Sequence, residues 1–185
     1  MSVSANAEFD RLFEQAAPRL LLFVELRLGR ALRARVEADD VVQEAYLAGL
    51  AGFGPDAPRS PRAFAAWMAR VAENCVRGLA DHFAARKRTP AGDCTTLTAI
   101  LGRVRARDTG PATAVSRVDE GQRLRTILSA LPDEQREALL QRYFAELDLE
   151  TIAVRMGRSP SSVRRLLAKA TARLGAELLP DGGSR

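Results

Sequence analysis

The sequence predicts an all-α chain of two small helical domains joined by a flexible linker, and three observations carry that prediction. Leu and Ala dominate the 185 residues, aromatics make up only 5%, and no alternating β-branched runs occur. Apolar residues recur at three- and four-residue spacing through most of the chain, the signature of helices with one buried face. Between the two periodic blocks lies a stretch crowded with helix breakers: Pro90, Gly92, Thr95, Thr96, Thr98, Gly102, Gly110 and Pro111. The predicted domains are residues 7–88 and 118–176, with 89–117 as the linker and at most a short helix near Leu97 to Val104. The second domain carries a helix-turn-helix.

In the first domain, Phe9, Leu12, Phe13, Ala16, Leu20, Phe23, Val24 and Arg27 fall near helical spacing, with Pro18 expected as a kink or break. An acidic segment comes next, EADDVVQEAYLAGLAGF. Val42, Ala45, Tyr46, Gly49 and Leu50 make its predicted apolar face, and Asp40, Gln43, Glu44 and Leu47 the other. Asp39 or Asp40 suits the helix start as a cap and against the macrodipole. Gly54 to Arg62 is rich in turn residues. Ala63 to Arg88 then reads as one long helix, burying Phe64, Trp67, Val71, Cys75, Val76, Leu79 and Phe83 and presenting Arg70, Asn74 and Arg77 at i, i+4 and i+7. Trp67 suits the core, and also suits stacking on an exposed base.

Helicity is expected to resume near Val118 with a stripe of Leu124, Ile127, Leu128 and Leu131. Pro132 then opens a helix carrying Leu139, Leu140, Tyr143 and Phe144. Asp148 is placed to cap a helix burying Leu149, Ile152, Ala153 and Met156, and Gly157 to end it in a left-handed residue. Ser159-Pro160 reads as N-cap and first-turn proline of a last helix, with Val163, Leu167, Ala170 and Leu174 inward. Ser161, Ser162, Arg164, Arg165, Ala168 and Lys169 remain on its open faces. From Ser159 to Leu174 no acid balances four basic residues, which separates a major-groove helix from an ordinary helical hairpin.

Net charge is +5, favouring an anionic partner, and the charges are segregated. From Val36 to Pro58 the only charges are Glu37, Asp39, Asp40, Glu44 and Asp56. From Arg59 to Arg88 seven basic residues face only Glu73 and Asp81, so two different partner surfaces are expected. Two cysteines, Cys75 and Cys94, and one histidine, His82, supply neither a disulfide framework nor zinc-ligand spacing; no metal or cofactor is expected. No segment reads as a signal peptide or membrane span, so a cytoplasmic chain without membrane insertion is expected. Tyr46 and Tyr143 fall on apolar faces and His82 lies near no nucleophile, so no catalytic constellation is expected.

Two motifs in fixed order resemble a known family. DDVVQEAYL, then FAAWMARVAENCVRGLADHFAARKR, is similar to the second conserved region of bacterial RNA polymerase sigma factors. LPDEQREALLQRYFAELDLETIAVRMGRSPSSVRRLLAKATARL is similar to their fourth region. The absence of a domain between them resembles the small extracytoplasmic-function (ECF) group. The resemblance implies a factor that binds RNA polymerase core and directs promoter-specific initiation. It implies docking of Asp40, Gln43 and Glu44 on the clamp helices of the polymerase largest subunit, with the flap as a further polymerase contact. It further implies minus-ten reading by Arg70, Asn74 and Arg77, with the Gly54–Arg62 loop holding a flipped base. Minus-thirty-five reading falls to Ser161, Ser162, Arg164, Arg165 and Lys169, while Leu166 stands where the family often carries Arg. Members are commonly held by an anti-sigma factor. The alternative is a stand-alone helix-turn-helix regulator with an N-terminal sensing or dimerisation domain.

Overall fold

The computed structural model describes residues 3–86 and 114–178. Every regular element among them is helical: α1 Val3–Arg27, α2 Arg30–Arg33, α3 Ala38–Gly52, α4 Pro61–Arg86, α5 Ala114–Ala130, α6 Asp133–Leu139, α7 Leu149–Met156 and α8 Pro160–Leu178. The chain divides into two units, Met1–Thr109 and Gly110–Arg185. The predicted linker lies almost wholly outside the described residues, as does its short helix; α5 starts at Ala114, a few residues before the expected Val118.

In the first unit α1, α3 and α4 pack on one another. Helix α1 buries Phe9, Leu12, Ala16, Leu20, Phe23 and Val24 along one stripe. It runs unbroken through Pro18. The proline is on the exposed side, where water can take the carbonyl that its missing N–H leaves unpaired. Past the helix end, Arg33 folds back and donates through Nε to the Leu28 carbonyl at 2.8 Å and through Nη2 to that of Glu25. One side chain thus collects carbonyls that the last turn cannot satisfy.

Helix α3 seats Val41, Ala45 and Gly49 against the core, so its buried stripe is centred one residue earlier than expected and Val42 is only half-buried. Gly49 explains the phase. A Cβ there would stand 2.6 Å from Met68 Sδ and 3.3 Å from Phe9 Cζ, so the missing side chain is what lets α3 lie close on α4. The N-cap is Glu37 without a side-chain cap, while Asp39 and Asp40 sit in the first turn, where their charge still meets the helix dipole. Opposite, α4 buries Phe64, Met68, Ala69, Ala72 and Leu79.

Phe9 stands where these helices meet. Its ring lies 5.3 Å from Tyr46, 5.2 Å from Phe53 and 5.3 Å from Phe64, each edge-on, and 6.0 Å from Phe13. Edge-to-face pairs at this spacing are favoured beyond the area they bury. Tyr46 also donates its hydroxyl to Asp10 Oδ1 at 2.6 Å, tying α3 to α1.

In the second unit the core is Leu128, Leu131, Ala138, Leu139, Leu140, Ala145, Ile152, Ala153, Val163 and Ala170. Arg136 donates to the carbonyls of Ser129 and Leu131 at 3.2 and 3.1 Å, closing the end of α5. After Leu139 the chain widens into a π-helical turn, Leu140–Phe144, with Ala145 N donating to Leu140 O at 3.2 Å. The wider turn shifts the phase of its side chains from that of a regular helix. Tyr143, expected on the inner stripe, is therefore 51% exposed.

The packing of α1 on α3 and α4 predicts that Phe9→Ala destabilises the first unit by about 3–5 kcal/mol, the usual cost of deleting a fully buried ring. Denaturant unfolding monitored by circular dichroism measures it; a loss below about 1 kcal/mol would mean that the ring cluster does not organise the unit.

Candidate nucleic-acid interface

The helix-turn-helix is built from local signals. Asp148 stands in extended backbone and its Oδ1 accepts from Thr151 N at 2.7 Å. That backbone N–H holds the Asp148 carboxyl below its ordinary pKa. Helix α7 ends at Gly157, whose φ is 61°. Gly157 N donates to Val154 O at 3.2 Å and Arg158 N to Ala153 O at 2.9 Å, the paired bonds of a Schellman turn. Two residues on, Ser159 Oγ accepts from Ser162 N at 3.3 Å and Pro160 opens α8. Ile152, Ala153 and Val163 close the inner angle with Leu147, Leu149, Met156 and Leu167 packed on them. An ion pair of Arg158 with Glu134 ties the turn to α6.

On α8 the structure exposes Ser161, Arg164, Arg165 and Lys169, four of the five expected DNA-facing residues. Ser162 is half-buried and engaged: its hydroxyl lies 3.0 Å from Ser159 Oγ and accepts from Arg165 Nη2 at 3.2 Å. It acts in the cap and steadies Arg165. Leu166 is half-buried on the flank, so it leaves the exposed arc basic.

In the first unit, Asn74 and Arg77 are exposed on α4 and Arg70 is half-buried one turn earlier. Arg70 lines an open cleft of about 550 Å³ with Trp67, Ala63, Gly52, Gly54, Asp56, Ala57 and Pro58. Trp67 packs against Phe64 at 5.6 Å and Phe53 at 6.3 Å and also lines the cleft. Arg59 holds the cleft loop. Its guanidinium lies 4.0 Å over the Phe53 ring, donates to Gly54 O at 2.9 Å and pairs with Glu8 Oε2 at 2.7 Å. A cleft with an aromatic wall, a guanidinium and a carboxylate suits an unstacked base.

Asp39 is exposed, but the three α3 residues expected at the polymerase are less open. Asp40, Gln43 and Glu44 are all half-buried. Burial raises the Glu44 pKa, and the Cys75 thiol on α4 is pushed up to about 11 by burial and then by the charge of Glu44. Glu44 thus lies close to α4, on the flank of the acidic face.

Sequence reasoning missed the residues that hold these faces in place: Arg59, Glu134 with Arg158, and the pair Arg27–Glu73. Only Glu73 gives a local signal, standing four residues before Arg77 on one helix. Among the described residues, no group of three His, Cys, Asp or Glu side chains could hold a metal, and no helix is long and apolar enough to cross a membrane.

Residues 121–174, the span from α5 through most of α8, match the family model for sigma-70 region 4. The chain is 30% identical over 169 residues to the ECF RNA polymerase sigma factor SigD of Mycobacterium tuberculosis, covering 91% of this chain and 76% of the relative. It is 29% identical over 171 residues to the RNA polymerase sigma factor SigF of the same species, covering 91% of this chain and 58% of the relative.

The Asp148 cap predicts a pH-dependent stability. Its pKa is depressed on folding, so its stabilisation is complete above the ordinary carboxylate range and fades as pH falls through the lowered folded value. Asp148→Ala should therefore lower the melting temperature of the second unit at pH 7, with the gap to wild type narrowing as pH falls below about 4. Asp148→Asn keeps an acceptor and lacks the titration. Thermal melts across pH test this, and an Ala gap that does not change with pH would contradict the charged cap.

Proposed function

The chain belongs to the extracytoplasmic-function group of the sigma-70 family of RNA polymerase sigma factors, and from that premise we propose that it binds RNA polymerase core and gives it promoter choice. The observation that supports the reading is that each unit carries its own outward row of basic and polar side chains. One is the acid-free, exposed arc of Ser161, Arg164, Arg165 and Lys169 on α8. The other is the row Arg70, Asn74 and Arg77 on α4, running up to the Trp67 cleft. A stand-alone regulator needs only the first.

In this reading Arg164, Arg165 and Lys169 neutralise phosphates and read base edges of the minus-thirty-five element in the major groove, with Ser161 beside them and Ser162 in the cap. Asn74 and Arg77 read the upstream part of the minus-ten element while it is still duplex. Arg70 stands where the strands part, and the cleft takes a base turned out of the stack. Asp40, Gln43 and Glu44 dock on basic clamp helices of the largest subunit, with Glu44 on the α4 side of that face. The second unit contacts the polymerase flap. The modules are 7–88 and 118–176, with 89–117 as tether, so each binding event raises the effective concentration for the other. The factor works in the cytoplasm, carries out no catalysis itself, and is held in reserve by an anti-sigma factor.

Run-off transcription with purified core polymerase and a pool of randomised promoter fragments tests the assignment. Arg77→Ala should lower discrimination in the minus-ten region and Arg165→Ala in the minus-thirty-five region, each by about 1–3 kcal/mol where the Arg reads a base. An Arg that touches only phosphate weakens all sequences alike. Loss of preference at the same promoter position in both variants would refute the two-surface reading.

A further inference from the structure

Arg77 has a competitor for its guanidinium on its own helix. Glu73 lies four residues earlier, and an acid placed N-terminal to a base at this spacing is the favourable order for an intrahelical ion pair. A tight pair would hold Arg77 down on α4. The structure shows a loose one, with Arg77 Nη2 at 3.4 Å from Glu73 Oε1 and the Arg77 side chain 59% exposed. Charge-assisted hydrogen bonds of this type usually close to about 2.7–2.9 Å.

The carboxylate is already taken. Arg27, on the last turn of α1, donates through Nε to Glu73 Oε2 at 2.6 Å and through Nη2 to Glu73 Oε1. Both oxygens are engaged by one guanidinium fork, the geometry in which Arg binds carboxylate most strongly. The pair is also shielded, with side-chain exposures of 18% for Arg27 and 16% for Glu73. The negative charge of Glu73 is therefore neutralised from the core side of α4, and Arg77 keeps its own charge for the outer side.

We propose that Arg27 is a positioning residue for promoter reading: by occupying Glu73 it leaves Arg77 available to DNA. The inference rests on the assignment of Arg77 to the minus-ten region and adds a residue from a different helix to that site. Without Arg27, Glu73 would either draw Arg77 into a closed pair or, with Arg77 on DNA, stand as an uncompensated negative charge beside incoming phosphates. Either outcome opposes binding, at a cost of about three- to tenfold in discrimination.

The test uses the full chain with core polymerase, reading run-off transcripts from a duplex pool randomised across the minus-ten region. Arg27→Gln should reduce enrichment of the wild-type preferred sequence by about three- to tenfold. Glu73→Gln should keep or increase it, because Arg77 is then released, whereas a merely structural pair would make this variant worse. Arg27→Gln/Glu73→Gln should return to within about twofold of wild type, and Arg27→Gln should add nothing in an Arg77→Ala background. Thermal melts of each variant separate these effects from unfolding, and the double variant replaces a charged pair by two amides and leaves no lone buried charge. An Arg27→Gln loss that Glu73→Gln does not rescue, or that persists without Arg77, would overturn the inference alone. No effect of Arg77→Ala would overturn the assignment of Arg77, and the inference with it.

Discussion

Burial of Phe9 between α1, α3 and α4 is the contact on which the first unit depends. The ring has no exposed surface and meets aromatic neighbours contributed by α3, by its C-cap and by α4. Three helices held at one point can each keep an outward face free for something else. Helix α3 turns its acidic start outward, and α4 presents Asn74 and Arg77. Gly49 sharpens the arrangement, since a side chain there would need Met68 and the Phe9 ring to shift. The same packing brings Phe53 under Arg59, and Arg59 in turn shapes the loop that walls the Trp67 cleft. A core contact thus propagates, through one cation-π stack, to a surface suited to an unstacked base.

The second unit reaches its exposed basic arc by a different route, through backbone geometry in the turn. A left-handed glycine, the two crossed bonds of the Schellman turn and the Ser159 cap set the angle between α7 and α8 with few residues. Little apolar area is required. The interior of the turn is Ile152, Ala153 and Val163 with four half-buried neighbours.

Legibility in the sequence tracks the range of each interaction. The helix-turn-helix is legible almost residue by residue, because Asp148, Gly157 and Ser159-Pro160 act through their own backbone neighbours. The basic arc of α8 is legible for the same reason, needing only helical periodicity and the absence of acids. Pro18 reads as a kink or break, and the helix runs on through it, since a proline on the solvent side loses a single bond that water replaces. Periodicity misphases the α3 stripe by one residue because the close approach at Gly49 is a tertiary demand that no local pattern shows. Regular helical spacing puts Tyr143 inward, but the segment widens to a π turn. The Arg27–Glu73 pair spans 46 residues, and no local signal announces it.

In the proposed reading α3 meets the polymerase while α4 and α8 meet promoter DNA. Residue-specific footprinting tests it most directly, with carbodiimide labelling of Asp40 and arginine-selective labelling of Arg77 and Arg165 in one set of samples. Addition of core polymerase alone should protect Asp40 and leave both arginines reactive; addition of promoter to the holoenzyme should then protect Arg77 and Arg165. Arginines protected by core alone, with Asp40 still labelled in the complex, would contradict the account.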